Sequence, residues 1–305
     1  MKEIYKLLFK AFKISFSSKV FWFFGILFAL ISGFVSALQS FLTEERYSLF
    51  ISKITGIAQN KPLVFLGGLV FVAVVAAFGL WIWFVLKIAL IYLPSRVNLG
   101  EKQASLKEGW DMGKKYFWRV LIFDAITITA TLLVLMLLFS PLSYLYRARA
   151  YTPAVILTII ALLICIPFIL TMFFIQNYGY RKIVLDGKTV IRAIIEGYDL
   201  FTEKWQFSVG MFFAYFYAIF YGLFIFLTFV LVFSAPVGIL LLALKRAEII
   251  DVLDVFAISA IFLLPIGIGL LSFLDIYNFS LWTIVYQKLA KEYNPEENFN
   301  NEIAS

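Results

Sequence analysis

Residues 20–42 read VFWFFGILFALISGFVSALQSFL. That run carries no charge, and as an α-helix rising 1.5 Å per residue it exceeds the roughly 30 Å of a bilayer's hydrocarbon core. A soluble domain has no use for such a stretch, because an apolar helix of this length must be covered on every side. Working outward, the same signal recurs at about 63–93, 118–139, 151–178, 206–233 and 254–287. The expectation is an all-α, polytopic membrane helical bundle with six transmembrane helices. The fifth run is expected to end or kink at Pro236 and the sixth to break at Pro265, since proline removes a helical donor.

Composition agrees. Of 305 residues 63% are hydrophobic and 15% charged, against roughly 45–50% and 25% in soluble domains. There is no histidine and one cysteine. Without His the usual base at neutral pH and the commonest metal ligand are missing. Zinc-hydrolase and Ser-His-Asp chemistry are therefore excluded, no catalytic residue, cofactor or metal is expected, and the reading is not an enzyme. Cys165 lies within ALLICIPFIL and reads as a small buried hydrophobe.

The net charge of +7 is not read as a nucleic-acid signal, because the cations flank the spans. Eighteen Lys and Arg fall in 1–19, 94–119, 179–205 and the tail, against seven on the opposite side. By the positive-inside rule both termini are cytoplasmic, in a multi-pass plasma-membrane protein.

The chain repeats itself. EGWD at 108–111 returns as EGYD at 196–199, each preceded by Gly and Lys and followed by a Lys-aromatic pair and a span. LFSP at 138–141 parallels VFSAP at 232–236, and a span with an interior proline follows each. A diverged first copy has KAFK at 10–13 in the tetrapeptide position. The expectation is three repeats within a single membrane domain over 1–290, with units of about 1–98, 99–184 and 185–290. Each unit is a cytoplasmic amphipathic interfacial helix followed by two spans. Residues 291–305 form a polar flexible tail.

At 100° per residue, Lys2, Lys6, Lys10 and Lys13 fall on one arc, with Tyr5, Leu8, Phe12 and Phe16 on another face. Arg192, Glu196, Asp199 and Glu203 likewise oppose Ile191, Ile194, Ile195 and Tyr198. Such helices lie in the membrane interface. Trp110, Tyr198, Trp118 and Trp205 are expected as interfacial anchors, and Gly109 and Gly197 as allowances for close packing or a bend.

Ionisable residues inside spans are costly and serve as functional candidates. They are Lys87, Asp124 and Asp275, with Gln176 as a polar companion, and Lys87 and Asp275 are a possible pair. Together they form the candidate intramembrane polar site.

The basic amphipathic segment, E-G-[WY]-D, Lys-aromatic pair and span, repeated over six spans, resembles an uncharacterised prokaryotic six-helix integral membrane family. It is similar to the membrane domain fused to some glycerophosphodiester phosphodiesterases. The catalytic domain of those proteins is absent, so the resemblance implies a membrane module without hydrolase activity. The function expected first is a non-enzymatic integral membrane protein whose interfacial helices engage the lipid bilayer through anionic lipids, or a membrane protein partner, and no nucleic acid. The alternative is a small-molecule transporter or permease whose intramembrane charges line a cavity. A lipid-modifying enzyme is the third reading, and it requires Asp111 and Asp199 to converge.

Overall fold

A computed structural model describes residues 2–41, 51–52, 54–55, 58–101, 105–246 and 252–292, without the side chains of 35–41, 229, 233–238, 240–242, 245–246 and 252–263. Eight helices have bounds within them: α1 (Lys2–Ser15), α2 (Lys19–Phe41), α3 (Pro62–Asn98), α4 (Leu106–Arg147), α5 (Tyr151–Val184), α6 (Val190–Glu203), α7 (Trp205–Arg246) and α8 (Val252–Glu292). The expected tail, beyond Glu292, lies outside the described residues.

Five of these helices contain segments long and apolar enough to cross a membrane: α3, α4, α5, Trp205–Val232 of α7 and Leu264–Glu292 of α8. A sixth crossing is present if the bent pair α1–α2 counts as one span. The first half of α3 presents Leu63, Phe71 and Val75 outward together with nearly every residue between them. A segment this apolar on all sides is a lipid-facing one. The chain is a multi-pass, all-helical membrane protein.

Three helix boundaries differ from the sequence expectation. The break at Pro236 does not end a helix, and α7 continues to Arg246. Pro265 lies inside an unbroken α8. A transmembrane helix tolerates proline because neighbouring turns and side chains re-satisfy the freed backbone groups. In the second of the expected units no separate surface helix precedes the span, because α4 runs continuously from Leu106 to Arg147. Its 42 residues extend about 63 Å at 1.5 Å per residue, twice the hydrocarbon thickness. Nothing between Lys107 and Arg119 breaks a helix, since there is no proline and both glycines, Gly109 and Gly113, are buried in packing. The other two copies do break, at Phe16–Ser18 between α1 and α2 and at Lys204 between α6 and α7.

The chain divides into two compact units. One is Met1–Leu86 with Gly210–Asn278, the other Lys87–Val209 with Phe279–Ser305. Their limits do not coincide with the repeat boundaries.

In the first unit α1 meets α2 at 90°. An aromatic cluster fixes the corner, with ring centroids 5.8 Å apart for Phe12–Phe273, 5.3 Å for Phe16–Phe273 and 6.5 Å for Trp22–Phe273. Gly25 of α2 lets Ile276 of α8 approach so closely that a Cβ there would sit 2.7 Å from the Ile276 side chain. Trp83 of α3 donates its indole N–H to Ser32 Oγ of α2 at 3.2 Å.

The second unit is built around the end of α5. The three-residue turn after Arg147 reverses the chain, so α4 and α5 pair antiparallel. Asp124 then faces Tyr180, and Thr127 faces Gln176. From Phe174 to Val184 only Gln176 and Asn177 are not fully buried, so this stretch of α5 is enclosed on all sides.

A buried polar core around the end of α5

Lys87 of α3 and Asp124 of α4 form an ion pair at 3.0 Å, both nearly excluded from solvent. Tyr180 of α5 donates its hydroxyl to the other carboxylate oxygen of Asp124. The Lys87 ammonium also lies 3.8 Å from the Tyr180 ring centroid, so a carboxylate and a π face both attract it. Thr127, one turn beyond Asp124, bonds back to Phe123 O and accepts Gln176 Nε2 at 3.2 Å.

Three of the four polar candidates in the spans are therefore gathered in one place. The possible Lys87–Asp275 pair is replaced by Lys87–Asp124. The sequence points away from Asp275 once depth is counted, because Lys87 and Asp124 each lie a turn or two inside a basic flank, at Arg96 and Arg119. Asp275 belongs to the other compact unit. It is half-buried there, with no hydrogen bond or ion pair among the described residues.

Further polar contacts surround this triad, and in the sequence their residues read only as topology signals. Arg181 is fully buried, and it donates to Asn177 O at 2.6 Å and to Phe279 O of α8 at 3.2 Å. Its Nε has no partner, and no carboxylate pairs with it among the described residues. Tyr178 shares a hydrogen bond of 2.7 Å with Ser208 of α7. Asn98 of α3 donates to Gln287 of α8 at 2.6 Å, and Tyr286 donates to Asp186. The stretch NYGYRK at 177–182 carries most of this. Its tyrosines and basic residues at a span end read as interface anchors, which is why the sequence did not mark them as a core.

The second residue at each tetrapeptide position is buried. Ala11, Gly109 and Gly197 are all buried. On α6 the buried row is Ala193, Gly197 and Leu200, and on α1 it is Leu7, Ala11 and Ile14, the same i, i+4, i+7 spacing. Gly197 packs against the backbone of Gly179, and Gly179 in turn accommodates the Phe123 ring. Of the apolar row of α6 expected from the pattern, Ile191, Ile195 and Tyr198 are exposed and Ile194 is half-buried, so α6 shows three faces. Of the expected anchors, Trp118, Trp205 and Tyr198 are exposed and Trp110 is half-buried, with Lys114 Nζ 5.8 Å from its ring centroid.

The charged row of α6 is tied to the turn ahead of it. Gly187, at φ +68°, turns the chain so that the Lys188 N–H reaches Lys182 O. Lys182 and Lys188 then close on Glu196 at 2.8 and 3.2 Å. Partial burial pushes the Glu196 carboxyl up, but hydrogen bonds and charge from the two lysines outweigh it and hold the group below its ordinary range. For Asp199 burial prevails, reinforced by the Glu196 charge, and its carboxyl is raised despite Lys182.

The ammonium and carboxylate groups of this core pair with one another and with aromatic side chains. Its ammonium is held by a carboxylate and an aromatic face, and its carboxylates are held by tyrosines or lysines. What it supplies is cohesion between α3, α4, α5, α6, α7 and α8 within one unit. No protein-family model, no curated protein and no solved structure matches the chain.

Proposed function

We propose that the chain is a non-enzymatic integral membrane protein that engages anionic lipid through its interfacial helices, α1 foremost. The observation that carries this reading is the corner at Phe16–Ser18. A short helix set at 90° to the following apolar helix lies along the membrane plane when that helix crosses. Its Lys2, Lys6, Lys10 and Lys13 are exposed and pair with no carboxylate among the described residues. Beside them Tyr5, Phe9, Phe12 and Phe16 are also exposed. Cations next to outward aromatic rings match a surface of anionic headgroups over acyl chains.

In this reading the exposed Ile191, Ile195 and Tyr198 make α6 a second interfacial helix. The shared burial of Ala11, Gly109 and Gly197 supports three repeats, each contributing two of six spans. The cation bias puts both termini on the cytoplasmic side of the plasma membrane. The resemblance to the non-catalytic six-helix membrane domain belongs to the same reading. Internal pairing of Lys87, Asp124 and Gln176 favours it over a transporter that would present them to a cavity.

The test is native mass spectrometry of the full chain released from mixed phosphatidylglycerol and phosphatidylcholine nanodiscs. Phosphatidylglycerol is expected to be retained preferentially. Replacing Lys2, Lys6, Lys10 and Lys13 by Gln should remove most of that preference, at about 1 kcal/mol per cation near an anionic surface. Equal retention of both lipids by the unaltered chain sinks the reading.

A further inference from the structure

The first compact unit contains a half-open groove of about 350 Å³, at the small end of the range for ligand sites. One wall is a face of α7 with Ala218, Gly222 and Phe226, and the other is a face of α8 with Leu270, Phe273 and Tyr277. Phe12 of α1 also lines it. A Cβ built on Gly222 would meet nothing within 4 Å, so this part of the α7 wall is not covered by a neighbouring helix. The lining is almost wholly apolar.

We infer that this groove seats one acyl chain of an anionic glycerophospholipid whose headgroup rests on α1. The inference rests on the proposed function and adds to it a place for the lipid tail. Three observations select this occupant. The walls belong to segments apolar enough to cross a membrane, so what reaches the opening is hydrocarbon. Phe12, in the groove lining, is the residue before Lys13 and two after Lys10, and both lysines are exposed and without carboxylate partners among the described residues. At 100° per residue Lys13 lies one step around α1 from Phe12, so a phosphate on Lys13 has the groove within reach of its chains. Finally, Phe12 also packs on Phe273, so the cationic helix and the groove wall are fixed to one another and present headgroup and tail sites as a pair.

The experiment uses the full chain in nanodiscs carrying phosphatidylglycerol or phosphatidylcholine with a diazirine midway along one acyl chain, and cross-links are mapped by peptide mass spectrometry. The phosphatidylglycerol probe is expected to label 218–226 and 270–277 at least ~5-fold more than the exposed stretch 70–78 of α3. Gly222→Leu, whose side chain enters open space, should abolish that enrichment, and Gly222→Ala should reduce it partway. Preferential phosphatidylglycerol retention by the unaltered chain together with uniform labelling would remove the groove alone, whereas equal retention of both lipids removes the lipid reading itself. Lys10→Gln with Lys13→Gln should lower phosphatidylglycerol labelling of the groove by ~5-fold or more. Uniform labelling overturns the inference, as does labelling indifferent to Gly222→Leu. Equal labelling by phosphatidylcholine overturns the anionic headgroup, and cross-links joining α7 of two copies make a second copy the occupant instead.

Discussion

Gly197 of α6 rests on Gly179 of α5, with the position of a Cβ on Gly197 only 3.3 Å from the Gly179 amide nitrogen. The obstacle is backbone, which cannot swing aside as a side-chain tip can, and Ile175 O lies equally near. The second letter of the repeated tetrapeptide is thus a contact requirement in this copy. Gly197→Ala should lower stability in micelles by about 1–3 kcal/mol through overpacking, in spite of alanine's better helix propensity. Thermal unfolding followed by circular dichroism reads this, and an unchanged or raised midpoint removes the close-approach explanation.

The Lys87–Asp124 pair predicts a non-additive cycle. Lys87→Ala or Asp124→Ala alone leaves a buried charge without its counterpart, at a cost of about 3–5 kcal/mol. The double change Lys87→Met, Asp124→Leu removes both charges and should cost less than either single variant. Denaturant titration of the three proteins gives the comparison, and additive losses mean that the pair is not coupled.

Glu196 and Asp199 set opposite pH dependences on one helix. The Glu196 carboxyl is held below its ordinary value. Its contribution to stability is therefore complete above the unfolded-chain value and is lost as pH falls through the folded one. Asp199 is raised, so its ionised form opposes folding above its folded value, and that penalty disappears below the unfolded one. At neutral pH Glu196→Gln should destabilise and flatten the acid limb of the stability curve, while Asp199→Asn should be neutral or slightly stabilising. The same sign of effect in both variants would contradict the assignment.

Salt should weaken lipid selection without affecting the core. Lysines on α1 are exposed, and at 1 M salt screening acts within about 3 Å. Preferential phosphatidylglycerol retention should fall steeply between 0.1 and 1 M salt, whereas the unfolding midpoint of the Lys87–Asp124 core should barely move. Retention that is flat across the series would mean that headgroup charge is not what α1 selects.

The class of the fold was legible in runs such as 63–93 and 151–178, because crossing a bilayer requires length and apolarity and both are local properties. Helix ends were less so. Pro236 and Pro265 are strong stop signals in water, and in an apolar surrounding the helix continues past them. The polar core was half legible. Lys87, Asp124 and Gln176 stood out as polar groups among hydrophobes, but which of them meet depends on the antiparallel register of α4 and α5. Arg181 and Tyr180 were hidden among residues that mark almost any span end. The buried row through Gly197 was masked by the more conspicuous isoleucines beside it, which turn outward.

The second compact unit closes only when the chain comes back to it. Its first portion ends at Val209, and it resumes at Phe279 after all of Gly210–Asn278. Phe279 O receives Arg181, Gln287 receives Asn98, and Tyr286 reaches Asp186. A ribosome therefore finishes the last helix before the buried arginine made some hundred residues earlier acquires its second carbonyl. A chain stopped at Asn278 should insert its earlier spans yet remain open to proteolysis around 177–189, and co-expressing the missing helix in trans should restore resistance. Closure of the second unit therefore waits for α8.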